Sequence, residues 1–140
     1  MTVKYLRDQR HQGTVAEVAK SRFPFPSADH PDMETCINVP APRMSVGKVL
    51  GKDVFPDIVV VGRPGQWLRM MVQVESADSV TDDSAVTRWL PCSEFGDLFV
   101  YVPAGSADAA RKLCKKHKIR VKGIRTWRFQ PVWGLAVAEA

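Results

Sequence analysis

The chain has 140 residues, of which 45% are hydrophobic and 25% are charged, with a formal net charge of +5. This length and composition predict one globular domain, and neither a transmembrane run nor an apolar signal segment is present. Three cysteines without a CxxC pair argue against a disulfide framework or a structural zinc site. We therefore expect a single cytoplasmic domain over residues 1–140 that does not enter a membrane.

The first part of the chain predicts one helix and one long loop. Residues 1–13 are polar and are expected to be irregular, whereas 14–22 has the periodicity of a helix. Thr14 and Glu17 have the spacing of a capping box at its start. Prolines then interrupt the chain and predict an irregular segment over 23–42.

The central part predicts strands. A first strand is expected over 44–50, and a second begins at Asp57 and continues through an apolar run that is typical of a central strand. After a turn at Pro64-Gly65, residues 67–75 have the two-residue period of a strand, with Leu68, Met70, Val72 and Val74 on one side.

The last part alternates helices with strands. Thr81 is predicted to cap a helix with Ala85, Val86, Trp89 and Leu90 on its core face, which Pro91 ends or kinks. On this helix Trp89 is interpreted as a core residue and Arg88 as a solvated surface residue. Further elements are expected at 97–102 (strand), from Ser106 (helix) and at 119–127 (strand). The whole pattern predicts an α/β domain with a mixed central sheet flanked by helices.

Basic residues are concentrated near the end of the chain. Residues 111–128 contain nine lysines and arginines and no acidic residue, leaving eleven basic against fifteen acidic residues elsewhere. Such a segment suits a phosphate backbone, although a solvated helix face followed by a protected edge strand would have the same composition. The candidate nucleic-acid contacts are Lys112, Lys115, Lys116, Lys118, Arg120 and Lys122.

Three oxygen-bearing side chains are expected to converge at one end of the central hairpin. If the hairpin is symmetric about residue 65, Asp57 lies level with Gln73, and Glu75 points to the same face. Oxygen ligands suit Mg²⁺, and a bound cation could activate water for attack on a phosphodiester. The residues alone leave open that Asp57 is a turn residue and that the other two are solvated.

The segment Pro56-Asp57-Ile58-Val59-Val60, a turn, and then Val72-Gln73-Val74-Glu75-Ser76 resembles the signature of the PD-(D/E)XK nuclease superfamily. In that family Pro-Asp opens one strand, and an acidic residue, any residue and lysine follow on the next. The order of elements over 14–127 is similar to the family's αβββαβ core. Here Gln73 stands where the acidic residue is expected, and Glu75 stands where lysine is expected.

The resemblance implies a restriction-endonuclease-like fold and metal-dependent hydrolysis of nucleic acid, DNA rather than RNA. It further implies that Mg²⁺ or Mn²⁺ is held by Asp57, Glu75 and Gln73, with Glu17 contributed by the first helix. Two alternatives remain open: a catalytically degraded relative that binds nucleic acid without cutting it, and a protein-interaction module. The latter would form a homodimer through the apolar tail over 129–140, which could instead dock on its own domain.

Overall fold

One mixed sheet of six strands organises the computed structural model, which describes residues 3–130 and 134–140. The helical segments are α1 (Val3–Arg22), α2 (Asp82–Ser84), α3 (Leu90–Ser93) and α4 (Ala107–Lys116), with a π-helical turn (Ala85–Trp89) joining α2 to α3 and a 3-10 turn at Ala77–Ser79. The strands are β1 (Met33–Ile37), β2 (Gly47–Val49), β3 (Lys52–Val54), β4 (Ile58–Gly62), β5 (Trp67–Val74), β6 (Leu98–Pro103), β7 (Gly123–Gln130) and β8 (Gly134–Glu139).

The six strands lie in the order β1-β4-β5-β6-β7-β8. The first three and the last pair run antiparallel, whereas β5, β6 and β7 are parallel to one another. The strands β2 and β3 form a separate two-stranded sheet. The predicted α/β class and mixed sheet are therefore confirmed.

Helices cover both faces of the sheet. On one face α1 packs its buried residues, including Val15 and Val18, against β4, β5 and Tyr101 of β6. On the other face the helical region that contains Trp89 packs together with α4 against β5, β6 and β7. Every residue of β4 is buried, which confirms the prediction that it is a central strand.

The hairpin of β4 and β5 has the predicted register at the end that matters for the site. Ile58 pairs with Val72 and Val59 with Met71, as a hairpin centred on residue 65 requires. Closer to the turn the register shifts by one residue between Val60 and Val61. The shift leaves the far end of the hairpin aligned as expected.

The first helix is much longer than predicted. Residues 3–13, expected to be irregular, belong to α1, while residues 1 and 2 lie outside the described residues. The predicted capping box is wrong, because Thr14 lies inside the helix and its hydroxyl donates to the carbonyl of Arg10 at 2.9 Å. The segment before Gly13 has no proline and mostly good helix formers, so one glycine does not stop the helix.

Three strand predictions need correction. The segment 23–42, expected to be irregular, contains β1, because pairing along β4 overrides its weak local signal. The strand expected over 44–50 is reduced to β2 and lies outside the main sheet. The strand expected over 119–127 starts only at Gly123, so Arg120 and Lys122 lie in the connection that precedes it.

The tail over 129–140 docks on its own domain where it is described. Residues 134–139 form β8 and pair antiparallel with β7, whereas 131–133 lie outside the described residues. All three cysteines are free thiols. No helix among the residues that the structure describes is long and apolar enough to cross a bilayer.

The helix expected after Thr81 starts as predicted. The Thr81 hydroxyl accepts from the Ser84 N–H at 3.2 Å. Pro91 lies inside α3 rather than at its end, and it directly follows the π-helical turn, in which the Leu90 N–H donates to the Ala85 carbonyl. Proline has no N–H to lose, so irregular winding at this point is tolerated. The predicted core face is partly wrong, since Val86 is exposed.

Candidate functional site

Asp57, Gln73 and Glu75 meet around the side chain of Arg88. All three are at most 3% exposed, and they lie just before β4, inside β5 and just after β5. Arg88 Nη2 donates to Asp57 Oδ2 at 2.9 Å and to Gln73 Oε1 at 3.0 Å, while its Nε donates to Glu75 Oε1 at 2.9 Å. The structure therefore brings the predicted residues together, with a guanidinium between them.

Hydrogen bonds from Asn38 and from β5 hold Asp57 in position. The Asn38 side-chain amide donates to the carbonyl of Pro56 at 2.7 Å, and the Asn38 N–H donates to the carbonyl of Asp57 at 3.0 Å. The Asp57 carboxylate in turn accepts from the Val74 N–H at 2.9 Å. The side chain is thus held across the two central strands before any ligand arrives.

Glu75 is held through its backbone by residues of β6 and β7 and through its carboxylate by three side chains. Its N–H donates to the Tyr101 carbonyl at 2.8 Å, and its own carbonyl accepts from Trp127 Nε1 at 3.1 Å. Besides Arg88, Trp89 Nε1 donates to Glu75 Oε1 at 3.0 Å, and Ser79 Oγ donates to Oε2 at 2.7 Å. Neither carboxylate oxygen lacks a donor.

Gln73 contributes a donor that a carboxylate could not supply. Its Oε1 accepts from Arg88, while its Nε2 donates to Cys92 Sγ at 3.2 Å and lies 3.5 Å from the Arg88 carbonyl. Burial raises the pKa of the Cys92 thiol to about 11, so the sulfur is a neutral acceptor. The network accounts for glutamine at the position where the family signature has an acid.

The pKa values of two basic groups are raised by these carboxylates. Burial alone would lower the pKa of Arg88, but the charges of Asp57 and Glu75 raise it overall. His11, on α1, lies with its Nε2 3.3 Å from Asp57 Oδ1. The hydrogen bond to Asp57 raises the pKa of His11 above its usual 6.5, against the opposing effect of burial. The site is a compact network of paired charges.

The arrangement does not fit a divalent cation while Arg88 stays in place. All four oxygens of Asp57 and Glu75 already have a nitrogen or hydroxyl partner. Among the described residues, no group of three His, Cys, Asp or Glu side chains is placed to hold a metal ion. Metal binding by the predicted ligands therefore stays a prediction, and it requires Arg88 to move.

The residues that sequence reasoning missed lie on helices. Glu17, the ligand expected from the first helix, is exposed on α1, and His11 is the α1 residue that reaches Asp57 instead. Arg88, interpreted as a solvated residue, makes the central contacts of the site. His11 lies three residues before Thr14, a spacing that puts both on one helical face, and this spacing could have identified His11 as a residue of the buried side of α1. No comparable signal marks Arg88.

The basic segment keeps part of its charge unpaired. Lys116 Nζ and His117 Nε2 contact Asp82 Oδ1 at 2.8 and 2.6 Å, so Lys116 is already neutralised. The other predicted nucleic-acid contacts are exposed and form no salt bridge within the described part of the chain: Lys112, Lys115, Lys118, Arg120 and Lys122.

A cleft of about 570 Å³ adjoins the site, between the first half of α1 and the ends of the strands. Glu75 and Arg88 line it on the side of the site, and His11 lines it on the side of α1. No protein-family model, curated protein or solved structure matches this chain.

Proposed function

We propose that the protein binds the phosphodiester backbone of nucleic acid on a domain of the PD-(D/E)XK nuclease type, and that it does not hydrolyse the bound strand. The observation that carries this proposal is the guanidinium of Arg88, held between Asp57 and Glu75 at the place where a nuclease of this type needs a cation.

The topology supports the family part of the proposal. The helix α1 is followed by the antiparallel unit β1-β4-β5, with the separate β2–β3 sheet between β1 and β4 in the chain. A helical segment then leads to β6, which is parallel to β5, and α4 leads to β7, which is parallel to β6. Asp57 opens the central strand of the antiparallel unit, and Gln73 and Glu75 lie at the end of the next strand. These are the positions that the signature assigns to the residues of the nuclease site.

The chemistry of arginine supports the loss of hydrolysis. A planar guanidinium matches two carboxylates well and keeps its proton at any ordinary pH. Its positive charge offsets the charges of Asp57 and Glu75, as the charge of a metal ion would. Unlike a bound metal, it does not coordinate water or lower the pKa of a water molecule. The site therefore stabilises the fold and lacks an activated nucleophile.

The unpaired cations of the basic segment support binding. Lys112 and Lys115 are three residues apart on α4, so they lie on neighbouring positions of one helix face. Exposed cations without carboxylate partners favour phosphate contacts, and each contact releases counterions from the nucleic acid. For duplex DNA the affinity should fall with salt with a log–log slope of about −0.9 per contact.

The test is a titration of labelled duplex DNA at several salt concentrations, followed by fluorescence anisotropy. The variant Lys112→Glu with Lys115→Glu should lower the affinity and reduce the slope by about 2, one unit for each lost contact. The matched control, Lys48→Glu with Lys52→Glu, makes the same charge change on the exposed β2–β3 hairpin and should bind nearly as wild type. Equal effects of the two variants would refute a specific role of α4.

A plasmid-nicking assay with Mg²⁺ or Mn²⁺ tests the second half of the proposal. We expect no metal-dependent nicking by the wild-type protein. Nicking that is abolished in Asp57→Asn would show instead that the protein is a metal-dependent nuclease and that Arg88 moves away from Asp57 when metal binds.

A further inference from the structure

The cleft beside the site has a cationic wall formed by one face of α1. Arg7, Arg10, His11 and Thr14 recur at helical spacing, and all four line the cleft. Arg7 and Arg10 are exposed, and neither forms a salt bridge with a carboxylate in the part of the chain that the structure describes. Two cations one helical turn apart therefore remain available to an anionic ligand.

The side of the cleft that faces α1 contains an anchored aromatic ring. Trp127 lines the cleft on this side together with Val74, and Leu6 lines it on the side of α1. Its indole N–H is held on the Glu75 carbonyl at 3.1 Å, and its ring packs edge-on against Phe129 at 5.6 Å between centroids. An indole fixed in this way is available for stacking without a further loss of side-chain freedom.

Size and charge together select the ligand. A cleft of about 570 Å³ has the size of a site for a small molecule or for one unit of a polymer, and it cannot admit a double helix. Asp8 and Asp78 also line the cleft, and Arg88 in its lining is paired with Asp57 and Glu75, so the arginines left for an anionic ligand are Arg7 and Arg10. A ligand that fits has a planar neutral part and an anionic part.

We infer that this cleft binds an unpaired nucleotide of a nucleic-acid strand, with the base against Trp127 and Leu6 and the phosphate against Arg7 and Arg10. The inference rests on the proposed nucleic-acid binding and adds to it a preference for single strands. Duplex regions contact the basic segment of α4, and a frayed or single-stranded nucleotide enters the cleft. Stacking on an aromatic ring is tolerant of base identity, so the preference is for strandedness rather than for sequence.

The experiment compares two labelled DNA probes by fluorescence anisotropy, a short single-stranded oligonucleotide and the same sequence in a blunt duplex. We expect the wild-type protein to bind the single strand more tightly. The variant Arg7→Glu with Arg10→Glu should weaken single-strand binding about tenfold or more and leave duplex binding nearly unchanged, whereas the control Lys48→Glu with Lys52→Glu should affect neither probe.

A pair of substitutions at Trp127 tests the stacking. Trp127→Leu should lower the affinity for the single strand about tenfold, because one base–aromatic stack is lost, and Trp127→Phe should retain most of it. Thermal unfolding shows whether either variant is misfolded, and if Trp127→Leu does not fold, the arginine variant alone decides.

The outcomes separate the two proposals. The cleft inference is overturned, and the proposed function left intact, if three results occur together. The wild-type protein binds both probes equally, Arg7→Glu with Arg10→Glu has no effect, and Lys112→Glu with Lys115→Glu loses affinity. Binding of neither probe by the wild-type protein would overturn both.

Discussion

Replacing Arg88 by methionine removes the charge at the centre of the site while keeping much of the side-chain length. The side chains of Asp57 and Glu75 are only 4% and 1% exposed, so the substitution leaves two buried carboxylates without their shared cation. They would retain the bonds from Val74, Trp89 and other neighbours. The variant should therefore fold, but with lower stability.

The magnitude follows from the burial of the three groups. Removing one partner of a buried ion pair typically costs about 3–5 kcal/mol. Because the Arg88 side chain is itself 36% exposed, solvent screens part of this interaction, and we expect a loss of about 2–3 kcal/mol. For a domain of this size that loss corresponds to a decrease in Tm of roughly 10 °C.

The matched control is Arg63→Met. Arg63 contacts Glu34 in a half-exposed ion pair, with Nε 2.7 Å from Oε2. Exposed pairs contribute about 0–1 kcal/mol, so this variant should unfold within a few degrees of the wild-type protein. Chemical unfolding in urea gives the free energies of all three proteins. A loss in Arg88→Met no larger than that in Arg63→Met would refute the view that Arg88 neutralises the site.

Manganese supplies the second measurement on the same proteins. Once Arg88 is gone, the position between Asp57 and Glu75 is open to a cation, and a ligand that binds only the folded state raises its stability by mass action. We expect Mn²⁺ to raise the Tm of Arg88→Met but not that of the wild-type protein. An equal rise in both proteins would mean that a cation binds without displacing the guanidinium, which contradicts the reasoning from the geometry.

Three further substitutions probe the rest of the network. His11→Gln should remove a pH-dependent part of the free energy of unfolding. Because the pKa of folded His11 is raised above 6.5, the wild-type protein should be more stable than the variant below pH 6.5 and should lose this extra stability as the pH rises through the folded pKa. Urea unfolding over a pH series measures this difference. Gln73→Glu should lower the free energy of unfolding by about 1–3 kcal/mol in urea unfolding, because it loses the donor to Cys92 and adds a buried charge. Trp89→Phe leaves an oxygen of Glu75 with one donor fewer and should lower the free energy of unfolding by about 1–3 kcal/mol, whereas an unchanged value would argue against that hydrogen bond.

The convergence of Asp57, Gln73 and Glu75 could be predicted because it depends on local rules. A tight turn fixes the pairing of adjacent strands, and the two-residue period of a strand fixes which side chains share a face. The assumed centre at residue 65 holds at the site because the irregularity between Val60 and Val61 offsets the position of the turn. The sequence itself gives no sign of that irregularity.

The parts that could not be predicted depend on distant contacts. β1 is a strand because it pairs with the edge of β4, and its own sequence has no strong two-residue period from which a strand could be predicted. The first half of α1 is polar on most sides, so its hydrophobic pattern carries little information about a helix. The role of Arg88 depends on two carboxylates that lie more than a dozen residues away in the chain.

The π-helical turn over Ala85–Trp89 has a consequence for how this site can change. Arg88 and Trp89 are consecutive residues, yet both donate to the same oxygen of Glu75. Regular winding turns each residue about 100° from the one before it, so deleting one residue from the turn would rotate everything beyond it by that angle. The site is therefore encoded in the number of residues between Thr81 and Pro91 as well as in their identities. A chain that kept every side chain of the network but lost one position in this turn would no longer assemble it.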